Sequence, residues 1–227
     1  HRTDHKDGTA TYLREFLRQY MMAKRPVRTD YPSWNNVQFV ADSIAWDTDP
    51  LYGWCNKNFK KDGSPYNVYS DGLKVFTTID SRMQKYAEEA VYQHVARYLQ
   101  PAFDKENKPK PSSPYSDKLT PQQIRYILNR SITQSERWRT MKAAGCTPEE
   151  IKEAFRKKIE MTVFTYHGDI DTLMSPLDSI RYYKGFLRSG FMSMDPKTGA
   201  VKAYVGGLDY PHFMYDMVSL GRRQVGS

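Results

Sequence analysis

The sequence predicts an α+β protein in which antiparallel strands carry an inserted helical subdomain. Three observations predict it. Two short apolar runs, Phe191 to Met194 and Ala200 to Val205, are joined by Asp195-Pro196-Lys197-Thr198-Gly199, with Pro and Gly where a hairpin turn wants them. Several other stretches repeat apolar residues every three or four positions, and two of them open with capping boxes. Gly72 to Asp80 alternates and is rich in β-branched and aromatic residues, which suits a strand. Strands mixed with runs of helix, with at least one hairpin, define the class.

Taken in order, Thr11 to Met22 places Tyr12, Leu13, Phe16, Leu17 and Tyr20 at helical spacing with arginines between, an amphipathic helix that ends before Pro26. Val27 to Ser70 shows no sustained period and reads as irregular. It holds Trp34, Trp46 and Trp54, whose rings either stack on sugars or anchor the loops by burying area; the anchor is the reading adopted. After the strand at Gly72, Asp80 or Ser81 caps a helix with Met83, Tyr86, Ala87, Ala90, Val91, Val95, Tyr98 and Leu99 on one stripe, stopped by Pro101. His94 lies on that stripe and reads as a packed core residue.

Pro101 to Pro114 reads as a loop at the edge of the insert. Two helices follow, from Thr120-Pro121 with Gln123 and from Thr147-Pro148 with Glu150. The second leads into Arg156, Lys157 and Lys158, whose charge suits a helix C-terminus. Glu160 to Tyr166 reads as a strand, and Ser175, Pro176 and Asp178 start a helix running towards Gly190. Gly206 and Gly207 close the last strand.

Composition narrows the classes. The chain has 227 residues, of which 39% are hydrophobic and 26% charged, enough for a buried core with much exposed surface. No run reaches the roughly 18 to 20 apolar residues of a membrane-spanning helix, and no basic-then-apolar signal opens the sequence. A net charge of +8 favours anionic partners or, as the simpler reading, a solvated basic face. Cys55 and Cys146 form no C-x-x-C pair, so neither a metal site nor a disulfide framework is expected; they read as two separate buried thiols, although an oxidising compartment would permit one bridge. No cofactor is expected.

Several of these stretches resemble one family. Phe191 to Gly207, with Asp-Pro-x-Thr-Gly at its turn and Gly-Gly at its end, is similar to the first two sheet strands of penicillin-binding transpeptidase domains. Gly72-Leu-Lys-Val-Phe-Thr-Thr-Ile-Asp80 and Thr11-Tyr-Leu-Arg-Glu-Phe-Leu17 resemble segments that class A penicillin-binding proteins carry between their two enzymatic domains. Asp169 to Pro176 looks like the segment leading into the transpeptidase. Gly221-Arg-Arg-Gln-Val-Gly-Ser227 resembles the run that ends on the nucleophile of their Ser-x-x-Lys motif, with Val225 in place of the expected proline.

The resemblance implies a bifunctional peptidoglycan glycosyltransferase and transpeptidase, organised here as a post-glycosyltransferase linker at 1–70, a strand and helix at 71–100, a helical insert at 101–160 and the first part of the transpeptidase at 161–227. It implies that Ser227 carries the acyl intermediate in the full-length protein. The lysine that activates it would lie three residues later and the glycosyltransferase ahead of His1, so this stretch alone is expected to act as an inactive linker and scaffold. The implied partners are lipid-linked peptidoglycan precursor and stem peptides, with β-lactams as inhibitors and a membrane anchor in another segment, these residues lying on the periplasmic side. One alternative is a non-catalytic periplasmic module that binds a partner protein or glycan. Nucleic-acid binding has only the charge behind it, and no motif accompanies it.

Overall fold

The computed structural model describes residues 8–221. It is mixed helix and antiparallel strand, the α+β class expected. The chain divides into two compact units, one of residues up to Glu88 and from Gly190 onward, the other Glu89–Ser189.

The first unit opens with α1 (Thr11–Met21), followed by α2 (Asn36–Thr48), the one-turn α3 (Trp54–Lys57) and the start of α4 (Ser81–His94). It closes with the hairpin β3 (Phe191–Met194) and β4 (Val201–Val205), antiparallel with a register shift at Ser193/Met194. Val27 to Ser70 is therefore more ordered than its sequence predicts. The apolar side chains of α2 that share a helical face, Val37, Val40 and Ile44, are exposed, so no buried stripe announces the helix. Two of the three tryptophans do anchor this stretch: Trp46 lies against Gly53 and under the Lys57 ammonium, and Trp54 packs on Tyr66. Trp34 is 81% exposed and anchors nothing. Gly53 has φ of 69° and no room for a Cβ beside the Trp46 ring, which fixes glycine there.

Gly72 to Asp80 is not a strand. Its side chains have the propensity, yet Phe76 is 92% exposed and, among the described residues, only the end of the segment reaches the sheet. There Thr78 Oγ1 donates to Val201 O and Asp80 N donates to Lys202 O. Strand propensity needs a neighbour to become a ladder. Asp80 does cap α4, its Oδ1 accepting from the N–H groups of Arg82 and Met83, which holds its carboxyl below the usual range.

The stripe of α4 is rotated from the one expected. Gln84, Ala87 and Val95 are buried, whereas Met83, Tyr86, Tyr98 and Leu99 are exposed and His94 faces outward beside Tyr98. The reason is Gln84. At 1% exposure, its Nε2 donates to Tyr204 O and its Oε1 accepts from Tyr204 N, so a polar side chain sits where a hydrophobic one would be counted.

In the second unit the chain passes from a π-helical turn at Val95–Leu99 into α5 (Gln100–Asn107). Pro101 does not stop the helix. It occupies the first turn of α5, where the hydrogen-bond pattern changes and a missing N–H is tolerated. Three helices then follow rather than two: α6 (Pro121–Gln134), α7 (Glu136–Ala143) and α8 (Pro148–Arg156). Both expected capping boxes are present, at Thr120 with Gln123 and Thr147 with Glu150, while Ser135 caps α7 through Trp138 N without any proline to mark the break. β1 (Ile159–Val163) pairs antiparallel with β2 (Ile170–Met174), a strand whose exposed Ile170 and Leu173 hid it in the sequence. α9 (Pro176–Lys184), capped by Ser175, ends at Gly185 rather than near Gly190.

The core of this unit is Leu128, Ile151, Phe155, Val163 and Phe164, with Phe164, Tyr182 and Phe186 in edge-to-face contact. Gln100, 5% exposed, ties the end of α9 to α5: its Nε2 donates to Gly185 O and its Oε1 accepts from Leu187 N. Cys55 is buried and Cys146 half-buried, and both are free thiols.

Gln84→Leu keeps the volume and strands a buried N–H and C=O of Tyr204, so it should cost about 2–4 kcal/mol. Urea unfolding followed by circular dichroism checks it, with Gln93→Leu, whose half-buried amide donates to Glu89 on the same helix, expected to cost under about 1 kcal/mol.

Candidate functional site

The segment after β4 is bound back onto the strand it leaves. Met217 N donates to Gly206 O, Phe213 N to Asp209 O and Leu220 N to Asp216 O. Asp216, 7% exposed, is the organiser: Oδ2 accepts from the Tyr204 hydroxyl at 2.6 Å, and Oδ1 accepts from Val218 N at 2.8 Å and Ser219 N at 3.2 Å. Tyr12 of α1 reaches the same place, its hydroxyl donating to Phe213 O at 2.7 Å. A Cβ on Gly206 would lie 2.6 Å from Asp216 Oδ1 and 2.7 Å from the Tyr12 ring, and one on Gly207 would strike the Tyr12 hydroxyl. The paired glycines are thus required by the approach of Tyr12 and Asp216 to the backbone.

Burial, with the Asp216 hydrogen bond second, pushes the Tyr204 hydroxyl well above its ordinary value. Tyr69 is pushed up to about 12, first by desolvation and then by its hydrogen bond to Glu15. Glu15 is a buried acid on α1, 4% exposed, that also accepts from Arg18 Nε at 2.8 Å.

Beside this lock lies an open cavity of about 510 Å³ in the first unit. Tyr12, Glu15, Phe16, Gln19 and Tyr20 of α1 form one wall at helical spacing, Gln38 and Asp42 of α2 another, and Ala23, Tyr52, Tyr210, Met214, Asp216, Ser219 and Leu220 complete it. Phe16 and Tyr20 stack at 5.6 Å, Tyr52 meets Tyr20 edge-on at 4.9 Å and Tyr210 meets Tyr12 edge-on at 5.0 Å. The carboxylates have their own donors: Asp42 accepts from Tyr31 and from Gln38 Nε2. Tyr20 gives its hydroxyl to Asp49 and is pushed up to about 12, burial being the larger cause. The arrangement offers ring faces, amides and satisfied carboxylates. Among the described residues no group of three or more His, Cys, Asp or Glu is arranged to hold a metal ion.

Ser227, the nucleophile expected from the sequence, lies outside the described residues. The residues that the sequence reading did not single out are Glu15, Gln84, Gln100 and Asp216, polar side chains in buried positions. Each interrupts a hydrophobic pattern that would otherwise hide it, and only its contacts reveal its role.

Residues 110–187 match the penicillin-binding protein middle domain, which agrees with the class read from the motifs. The chain is similar over most of its length to two curated proteins called penicillin-binding protein 1A, and together these findings support part of a class A penicillin-binding protein. One is from Rickettsia bellii (strain RML369-C), 26% identical over 181 residues, covering 73% of this chain and 22% of the relative. The other is from Neisseria flavescens, 25% identical over 197 residues, covering 74% of this chain and 23% of the relative. The chain therefore spans less than a quarter of the length of these relatives. No solved structure matches it. Among the described residues, no helix is long and apolar enough to cross a membrane.

The raised Tyr204 value makes a signed prediction. A folded-state value above the unfolded one near 10 contributes stability that is complete below about pH 10 and is lost as the pH climbs through the folded value. Unfolding free energy should fall as the pH rises above about 10, and Tyr204→Phe should make that fall shallower; denaturant titrations at each pH measure both.

Proposed function

We propose that this chain is the interdomain linker and the first part of the transpeptidase of a peptidoglycan synthase, and that Ser227 is its acylated serine in the full-length protein. Residues 1–70 would follow the glycosyltransferase, 71–100 would enter the second catalytic domain, 101–160 would form the insert and 161–227 the start of the transpeptidase. The observation that carries this reading is the lock at the end of the hairpin, where Tyr12, Gly206 and Asp216 hold the chain that leads to Ser227 against β4. Acyl transfer to serine needs the hydroxyl held in a fixed position by a rigid scaffold.

In this role the substrates are lipid-linked disaccharide peptides and cross-linkable stem peptides, handled on the outer side of the cytoplasmic membrane. The serine hydroxyl attacks the carbonyl of the stem peptide, the terminal residue leaves, and the acyl group passes to an amine of a neighbouring stem. β-Lactams would be caught at the first of these steps. The scaffold contributes position: this chain sets where the serine stands and how polymerisation and cross-linking are spaced.

Acylation of the full-length protein with a fluorescent penicillin, followed by peptide mapping, should place the adduct on Ser227, and Ser227→Ala should remove at least 99% of the label. Label on another residue would sink the assignment.

A second reading has the aromatic cavity behind it. Ring faces of Phe16, Tyr20 and Tyr52 beside amides of Gln19 and Gln38 suit a sugar ring, as a glycan-contacting module would need. Titration with N-acetylglucosamine oligomers, followed by calorimetry, should then give binding weakened at least tenfold by Tyr52→Ala; no heat at millimolar oligomer would dispose of it.

A further inference from the structure

The second unit contains a cavity that neither the linker role nor the serine chemistry uses. It lies among α6, α7, α8 and the start of α9 and has a volume of about 600 Å³. Its apolar wall is Leu128, Ile132, Trp138, Ile151, Phe155 and Leu177, of which Leu128, Ile151 and Phe155 are core residues at 8%, 1% and 3% exposure. Every charged side chain that lines it is basic: Arg125, Lys152 and Arg156. All three are exposed, and none makes an ion pair among the described residues. The surrounding sequence has the same bias, residues 121–158 holding nine Lys and Arg against four acids, Glu136, Glu149, Glu150 and Glu153.

We propose that this cavity binds an anionic amphiphile, a single apolar tail ending in a phosphate or carboxylate head. Its volume falls within the range of small-ligand sites, which are mostly apolar with a few polar groups that orient the ligand. The tail lies along Ile132, Trp138 and Phe155. The head meets Arg125, Lys152 and Arg156, cations that have no acid of their own to satisfy them. A neutral apolar ligand would leave that rim without a counter-charge, and inorganic phosphate would leave the wall in water. An acidic peptide is disfavoured because the walls are helices whose interior backbone groups are already bonded, leaving only Asn129 and Thr133 as uncharged polar side chains at the cavity.

The test titrates the full chain with dodecyl phosphate below its micellar concentration, read by calorimetry and by tryptophan emission with Trp138→Phe as the assignment control. Saturable binding is expected, tightening roughly fourfold per methylene from octyl to decyl phosphate, where each methylene is still buried. The triple variant R125Q/K152Q/R156Q, altered only at exposed positions, should bind at least tenfold more weakly with an unchanged melting curve. If that variant does not fold, Ile132→Trp, which narrows the cavity and keeps the cations, should abolish the chain-length dependence. Equal affinity for dodecyl maltoside, equal affinity for inorganic phosphate, or a glutamate-rich peptide bound in place of dodecyl phosphate would each overturn the proposal.

Discussion

The first unit depends on one side chain meeting both the N–H and the C=O of one residue. Gln84 gives a donor and an acceptor to the backbone of Tyr204, so the amide completes on β4 what a further strand would have completed. A two-stranded hairpin is marginal by itself in water. With α4 fastened across it, Tyr204 is held in place, its hydroxyl meets Asp216, and Asp216 in turn fixes Val218 and Ser219. Removing the amide would undo that sequence from its first link. The second unit repeats the device, Gln100 serving Gly185 and Leu187 in the same donor-and-acceptor manner.

These two glutamines also explain which parts of the fold were legible. Elements announced by covalent geometry or capping were readable: the Asp195-to-Gly199 turn, the Thr120 and Thr147 boxes and the Ser175 cap state their structure within four or five residues. Elements whose face is set by distant partners were not. The stripe of α4 was read from Met83 and Tyr86 because they are apolar, although burial is centred on Gln84. α2 shows apolar residues to solvent, and β2, Ile-Asp-Thr-Leu-Met, has no apolar-polar alternation, so neither carries the period that identifies it. Gly72 to Asp80 erred in the other direction, with every propensity of a strand and only its last residues at the sheet.

The candidate site divides along the same line. The paired glycines were visible as the end of a strand, while the reason for them lies far away in sequence: Tyr12 packs where a Cβ would be. Glu15 and Asp216, both buried acids, are stabilised by hydroxyl and N–H donors that no local motif predicts. A buried carboxylate without donors would be expelled or protonated. Each acid therefore implies its phenol, Tyr69 for Glu15 and Tyr204 for Asp216, and each phenol is made harder to ionise in return.

On the proposed reading, this coupling matters for chemistry because a serine nucleophile tolerates little misplacement; an error near 1 Å can cost about a hundredfold in rate. The chain from β4 to Gly221 crosses no helix of its own, yet its backbone is pinned at Gly206, Asp209 and Asp216. Those pins belong to α1 and α4 as much as to the hairpin, since Tyr12 and Gln84 hold the groups that make them. A segment that would otherwise be a loop is thereby given the stiffness of the sheet edge. The linker helices would then be part of the catalytic apparatus in a mechanical sense, fixing the segment that leads towards the serine.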